Sequence, residues 1–331
     1  MIRRSRSLLP AVAFGLGAFL LPLALGAAVY YVAPFASGGR DTNLGTLGQP
    51  WETLQHAADT VGPGDTVYAR AGGYAGFQMT TSGLSAARIV FTNYPGETVS
   101  IVSDLPVRHD GINLEGASYI TVRGFHVNGA GHAGIRAVAC NGVEIVGNVL
   151  TNNQVWGVLT GCCDDVRVTG NIAAGSIEQH GIYVSNSGDR PVIVGNVVYG
   201  NNQNGIHMNG DIDTPCDSGG TTFDGVISGA LVEGNTLFDN GANGGVGGGS
   251  AINCDGVQTS LIRNNLVYAS HASGISLYQI DGAQPASGNR VENNTVLVAA
   301  GTGRWALNIQ DDAANTVVRN NILWSSRAPR G

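Results

Sequence analysis

Residues able to move protons recur at fixed spacing along this 331-residue chain. Tyr183 and His207 each follow an aliphatic residue, Ile182 and Ile206, that itself follows a glycine. The same small–aliphatic pair opens runs at Ile112, Ile135, Val158, Ile252, Ile275 and Leu307, with successive separations of 23, 23, 24, 24, 46, 23 and 32. One place after the aliphatic residue the column reads Asn113, Arg136, Leu159, Tyr183, His207, Asn253, Ser276, Asn308; three places after, it includes Glu115, Asn209, Asp255 and Tyr278. His180, Gln279, Arg304 and Trp305 lie beside these columns. Such groups suit proton transfer. His207 or His180 can take a proton, Tyr183 or Tyr278 can give one, and a cation such as Arg304 or Arg136 can neutralise a carboxylate. Asn209, Asn253, Tyr278, Gln279 and Trp305 are expected to bind substrate. Asp255 with Asp211 or Asp213 could instead serve as the carboxylate pair of a hydrolase, and these three aspartates are hard oxygen donors suited to Ca²⁺. The plainer alternatives are a solvated strand histidine, a packing tyrosine, a turn-capping Asp255 and an acidic loop.

The elements that would position these groups are short strands. The inner position between the two columns carries Leu114, Ala137, Thr160, Val184, Met208, Cys254, Leu277 and Ile309, so side chains alternate in and out as in a strand. A second pattern, from VEIVGNVL to TVVRNNILW, follows most of these runs and places Asn148, Asn171, Asn196, Asn235, Asn265, Asn294 and Asn321 in equivalent turns. A period near 23 residues with alternating strands and Gly/Asn turns predicts a solenoid whose coils stack about 4.8 Å apart. The turn asparagines are read as structural, tolerating a left-handed backbone and bonding from coil to coil. His109 and His132, at coil starts, are read as structural too. The expected fold is all-β, a right-handed parallel β-helix of about 8–10 coils, with a helix over Pro50–Val61 covering its first coil.

Composition agrees. There are 50 Gly, 11 Pro and no Lys, charged residues are 12% of the chain, and the net charge is −7. That excludes a basic nucleic-acid-binding surface and a helical bundle. Arg3, Arg4 and Arg6 before an apolar run to Leu25 and small residues at 26–28 predict a signal peptide over residues 1–28, hence secretion to the extracellular space or periplasm and no membrane contact after cleavage. Residues 29–331 then form one domain, with cap and first coil at 29–75 and an inserted loop at 210–249 over the face. Cys140 and Cys163 fall in equivalent places on neighbouring coils and are expected to form a disulfide, while Cys254 faces inward. The last coil, ending at RAPRG, carries no cap of its own, so the expectation is either a fragment or a chain that pairs with another through that end.

The stretch YYVAPFASGGRDTNLGTLGQPWETLQHAADTVGPGDTVYARAGGY resembles the amino-terminal cap of secreted right-handed β-helix proteins. It is most similar to the group of family-nine pectate lyases with chondroitinase-B-like and alginate lyases. The resemblance implies chemistry on an outer strand face, often beside Ca²⁺, and an acidic extracellular polysaccharide as partner, with no organic cofactor. Family-nine pectate lyases use a lysine base, which this chain lacks. The aspartate trio of polygalacturonases is also missing, as is the epimerase DPHD-type motif. A polysaccharide lyase is the leading expectation; a glycan-binding or structural β-helix protein, a glycoside hydrolase and an epimerase are the alternatives.

Overall fold

The computed structural model describes residues 26–213, 223–241, 249–298, 301 and 303–325. Most of the expected signal segment, Cys216 and Asp217 of the insertion, and the RAPRG end lie outside the described residues. The chain winds as a right-handed parallel β-solenoid. In each coil it visits three long sheets of nine, eleven and ten strands, as in Ile182–Ser185, then Val192–Val194, then Val197–Tyr199. All paired strands are parallel, and nearly all are in register from coil to coil, with shifts at Tyr268–Ser270 and Tyr74–Ala75. Tyr183 sits beside His207 and Ser185 beside Asn209. On the following coils His207 pairs with Asn253, Asn209 with Asp255, and Asp255 with Tyr278.

Local sterics explain the repeat. The small residue before each aliphatic one faces the backbone of the next coil. A Cβ on Gly157 would lie 2.6 Å from the Gly181 carbonyl oxygen, so little beyond hydrogen fits there. The aliphatic column and the inner column fill the tube, and Ile112, Ile135, Val158, Ile182, Ile206, Ile252 and Ile275 are all fully buried. At the corner between the second and third strands, the residue that turns left-handed is the one before the expected asparagine: Gly147, Gly170, Gly195 and Gly234, then Asn264, Asn293 and Asn320. The asparagine that follows points inward instead. Its Nδ2 donates to the Oδ1 of its neighbour on the next coil, in series from Asn148 to Asn321 at 2.9–3.1 Å. Each amide also reaches a buried backbone carbonyl, so both of its polar atoms are satisfied where an orphan would cost about 1–3 kcal/mol.

The helix is shorter than its sequence pattern suggests, spanning Leu54–Thr60 with Thr53 as N-cap. Trp51 is instead drawn into a bridge with Val32. Asp41 accepts from the backbone of Glu52 and Thr53, which holds those residues extended. Leu54, Ala57 and Ala58 pack down onto the tube. Cys140 and Cys163 are disulfide-bonded with Cα atoms 4.8 Å apart, and Cys254 is buried and free. The 210–249 stretch is not one loop. Its extra length is divided between Asn209 and Ile227 and between Phe238 and Ile252, and the regular strands Leu231–Glu233 and Thr236–Phe238 lie between them. The extra strand Ile227–Ser228 pairs with Val257–Gln258.

Candidate active site

The strand Ile206–Asn209 puts His207 and Asn209 outward on the nine-stranded sheet. One coil earlier, Tyr183 stacks on His207 at 5.0 Å between ring centroids, and Trp156 stacks on Tyr183 at 5.8 Å. Asn209 Nδ2 donates to the Tyr183 hydroxyl oxygen at 3.3 Å and to Asp281 Oδ2 at 3.2 Å. His180 Nε2 lies 3.1 Å from His207 Nδ1. Burial lowers the His207 pKa to about 3, so the ring is neutral at ordinary pH. Tyr183 is pushed above the usual phenol range, first by burial and further by the charges of Asp211, Asp281 and Asp255, against the Asn209 contact that lowers it. Two polar atoms in this cluster are shielded from solvent and lack a partner: His207 Nε2 and Asn209 Oδ1. Buried orphans of this kind each cost about 1–3 kcal/mol unless a ligand or water meets them.

His180 does not share the face. It is 4% exposed, and its Nδ1 accepts from the Asn204 backbone N–H at 3.2 Å. With both ring nitrogens engaged and its pKa held well below the histidine range by burial and then by His207, it supports His207 from beneath. Sequence reasoning missed Asn204. It stands two places before Ile206, in a column (Asp110, Ala133, Trp156, His180, Asn204) with no repeating chemistry to attract notice.

Asp255 sits one coil beyond Asn209 but is turned into the protein. Its Oδ1 accepts from the N–H groups of Ile280 and Gly282, and its Oδ2 from that of Asp281. Burial raises its pKa, against those three bonds. Asp211 Oδ1 accepts from the Asp213 N–H, and its Oδ2 accepts from Asn186. Among the described residues no group of three or more His, Cys, Asp or Glu is gathered to hold a metal ion. The expected Asp211–Asp213–Asp255 set is therefore not assembled among the described residues, and both Asp255 oxygens accept from backbone N–H groups. Gln279 spends its amide on the Gly282 carbonyl. Arg136 pairs with Glu115 at 2.7 Å, so its charge is already met.

The face extends to either side of this cluster. Toward the carboxyl end a groove of about 250 Å³ is lined by Ser250, Asn253, Ser276, Tyr278, Arg304 and Trp305, among others. There Asn253 donates to the Tyr278 hydroxyl at 2.8 Å, and Trp305 is 49% exposed. Toward the amino end a second groove, of about 410 Å³, is lined by Gln55, Gln78, Arg108 and Asn113 among others. Beside it, the fully buried Asp110 accepts from His132 Nδ1 at 2.7 Å.

Comparison with known proteins agrees with this architecture. Residues 30–161 match the family described as Pel9A-like, right handed beta helix region, and residues 176–328 match the right handed beta helix region. Pectate lyase PEL9 of Emericella nidulans is 38% identical over 87 residues, which is 25% of this chain and 20% of that protein. The match thus spans about a fifth of the relative's length. The crystal structure of pectate lyase Pel9A superposes with a TM-score of 0.65 at 16% identity, covering 89% of this chain and 80% of that one. An alginate lyase from Paenibacillus sp. superposes at 0.55 with 17% identity, covering 89% and 99%. Identities this low speak for the fold alone. Among the described residues no helix is long and apolar enough to cross a membrane. The chain is a right-handed parallel β-helix protein, and its residues 30–161 match the Pel9A-like region.

Proposed function

We propose that this protein is a secreted polysaccharide lyase that cleaves an acidic, uronic-acid-containing polysaccharide by β-elimination. One observation carries the reading: Tyr183, His207 and Asn209 converge at the middle of a long face with open grooves on both sides. A groove continued past the reacting group suits a polymer better than a small substrate. Elimination needs the carboxylate neutralised, the C5 proton removed and the leaving oxygen protonated. His207, Tyr183 and Asn209 supply a neutral imidazole, a phenol and an amide for those tasks, and Arg304 and Trp305 hold a neighbouring sugar. The engagement of Asp255 by three N–H groups counts against a two-carboxylate hydrolase. A binding-only protein is the second reading, favoured by the exposed Trp305 beside Arg304 in a polar groove.

The test is incubation with pectate, alginate and glycosaminoglycans, following the ultraviolet absorbance of the C4–C5 unsaturated product with and without chelator. The lyase reading expects product from at least one uronate and none from His207→Ala or Tyr183→Phe. No product from any of them, with glycan binding that survives His207→Ala, leaves the binding-only reading.

A further inference from the structure

We propose that His207 is held as an N–H donor rather than as a base, that Asn204 and His180 are the positioning residues that impose this polarity, and that the donor's ligand is a uronate carboxylate. The proposal rests on the acidic-polysaccharide reading above and assigns the parts within it.

The polarity follows from one group that has no choice. A backbone N–H can only donate, and that of Asn204 reaches His180 Nδ1 at 3.2 Å. The Asn204 side-chain amide adds a second contact at 3.3 Å. Its orientation is fixed because Asn204 Oδ1 accepts from the Ser250 N–H at 2.7 Å. His180 Nδ1 therefore carries the lone pair, and the single proton of this buried neutral ring is on Nε2. That proton points at His207 Nδ1, 3.1 Å away, which must accept it. The His207 proton is then on Nε2, the atom that is shielded and without a partner.

Two places along the same strand, the Asn209 amide is oriented the same way. Its Nδ2 donates to a carboxylate oxygen of Asp281, and its Oδ1 is left as an unpaired acceptor. The strand Ile206–Asn209 thus presents one orphan donor and one orphan acceptor. A uronate presents the complement, a carboxylate that only accepts beside hydroxyls that donate. With His207 committed to the carboxylate, Tyr183 is the proton carrier. As phenolate it takes the C5 proton; the C5–H electron pair forms the C4–C5 double bond, the C4–O bond breaks toward the leaving oxygen, and the phenol returns its proton there. The Asn209 donor on the Tyr183 oxygen favours the phenolate.

The experiment measures binding of oligogalacturonate, oligomannuronate and methyl-esterified oligogalacturonate by calorimetry, in a Tyr183→Phe background that stops turnover. A free carboxylate is expected to bind about ten- to hundredfold tighter than its ester, the span of one hydrogen bond to a charged group. His207→Ala abolishes that preference. His180→Gln keeps it, since the glutamine amide accepts from Asn204 and donates to His207, whereas His180→Glu, which only accepts, abolishes it. His180→Met, which removes the donor without adding charge, leaves nothing to hold the His207 proton on Nε2; it is expected to weaken the preference, and it replaces the glutamate variant if circular dichroism shows that one unfolded. A preference undiminished in His180→Glu or His180→Met, one lost in His180→Gln, or no binding of either free oligouronide overturns the proposal. An intact preference with no elimination by the wild-type protein removes the lyase reading and supports the assignment.

Discussion

Two histidines stand three coils apart, His132 just before the strand Ala133–Val138 and His207 within Ile206–Asn209, and their neighbours place a proton on opposite ring nitrogens. Behind His132 is the carboxylate of Asp110, fully buried, which also accepts from the Ala133 N–H and from Asn113. A carboxylate only accepts, so His132 carries a proton on Nδ1, in a side chain that is 32% exposed. Behind His207 is His180, polarised by a backbone N–H, and the outward nitrogen is a donor. One column of the repeat, two places before the aliphatic residue, makes the difference: Asp110 in the first case, His180 and Asn204 in the second. The two sites sit at different places in the repeat, His132 just before its strand and His207 within its own, and the groups behind each set which ring nitrogen carries a proton.

The largest expected effect separates the two sites by function. His207→Ala and Tyr183→Phe are each predicted to lower kcat by about 10²–10⁴-fold, the range for a lost proton-transfer or charge-stabilising group. His132→Ala is predicted to change it by less than about tenfold, because it removes no group that touches the reacting sugar. Steady-state rates on the active uronate decide this. A collapse in His132→Ala with His207→Ala spared would invert the comparison.

Next is stability. Asp110→Ala strands the buried donors Ala133 N–H and Asn113 Nδ2, a loss of about 1–3 kcal/mol for each group left unsatisfied, read as a lower urea midpoint. His180→Gln, which keeps both partners of the relay, is predicted to cost less.

The pH dependence separates the sites further. His180 and His207 are held below the usual histidine pKa of about 6.5, His207 at about 3. Below pH 6.5 the unfolded chain therefore binds more protons than the folded one, and stability falls as pH drops from about 6.5 toward 3. Denaturant midpoints across that window are predicted to be flatter in a His180→Gln/His207→Gln double variant. On the alkaline side Tyr183 holds its proton, so kcat/KM should climb with pH as phenolate forms. A plateau from neutral pH upward would argue against Tyr183 as the carrier. The smallest effect is expected at the carboxyl-end groove. Trp305→Ala should raise KM several-fold and leave kcat nearly unchanged, because Trp305 contacts a sugar beyond the reacting one.

The tube was legible in the sequence because its causes repeat. A Cβ has no room at Gly157 or Gly181, and the aliphatic and asparagine columns recur on nearly every coil. Even there the left-handed residue was misplaced by one, since Gly147 or Asn264 makes the turn and the next asparagine enters the core. The convergence of Tyr183, His207 and Asn209 follows from register alone. What could not be read was the orientation of individual groups. Asp255 shares the outward column, yet three N–H groups of a turn 25–27 residues later capture it. The Asn204–His180–His207 relay crosses coils through a column whose members share no chemistry. A repeat reports what every coil needs; a site is built from what one coil does differently.

The most direct test is the ¹⁵N side-chain spectrum of the histidines at neutral pH, assigned through His132→Gln and His207→Gln. The expected result is a protonated Nε2 with a bare Nδ1 at His207, and a protonated Nδ1 at His132. A bare Nε2 at His207 would contradict it.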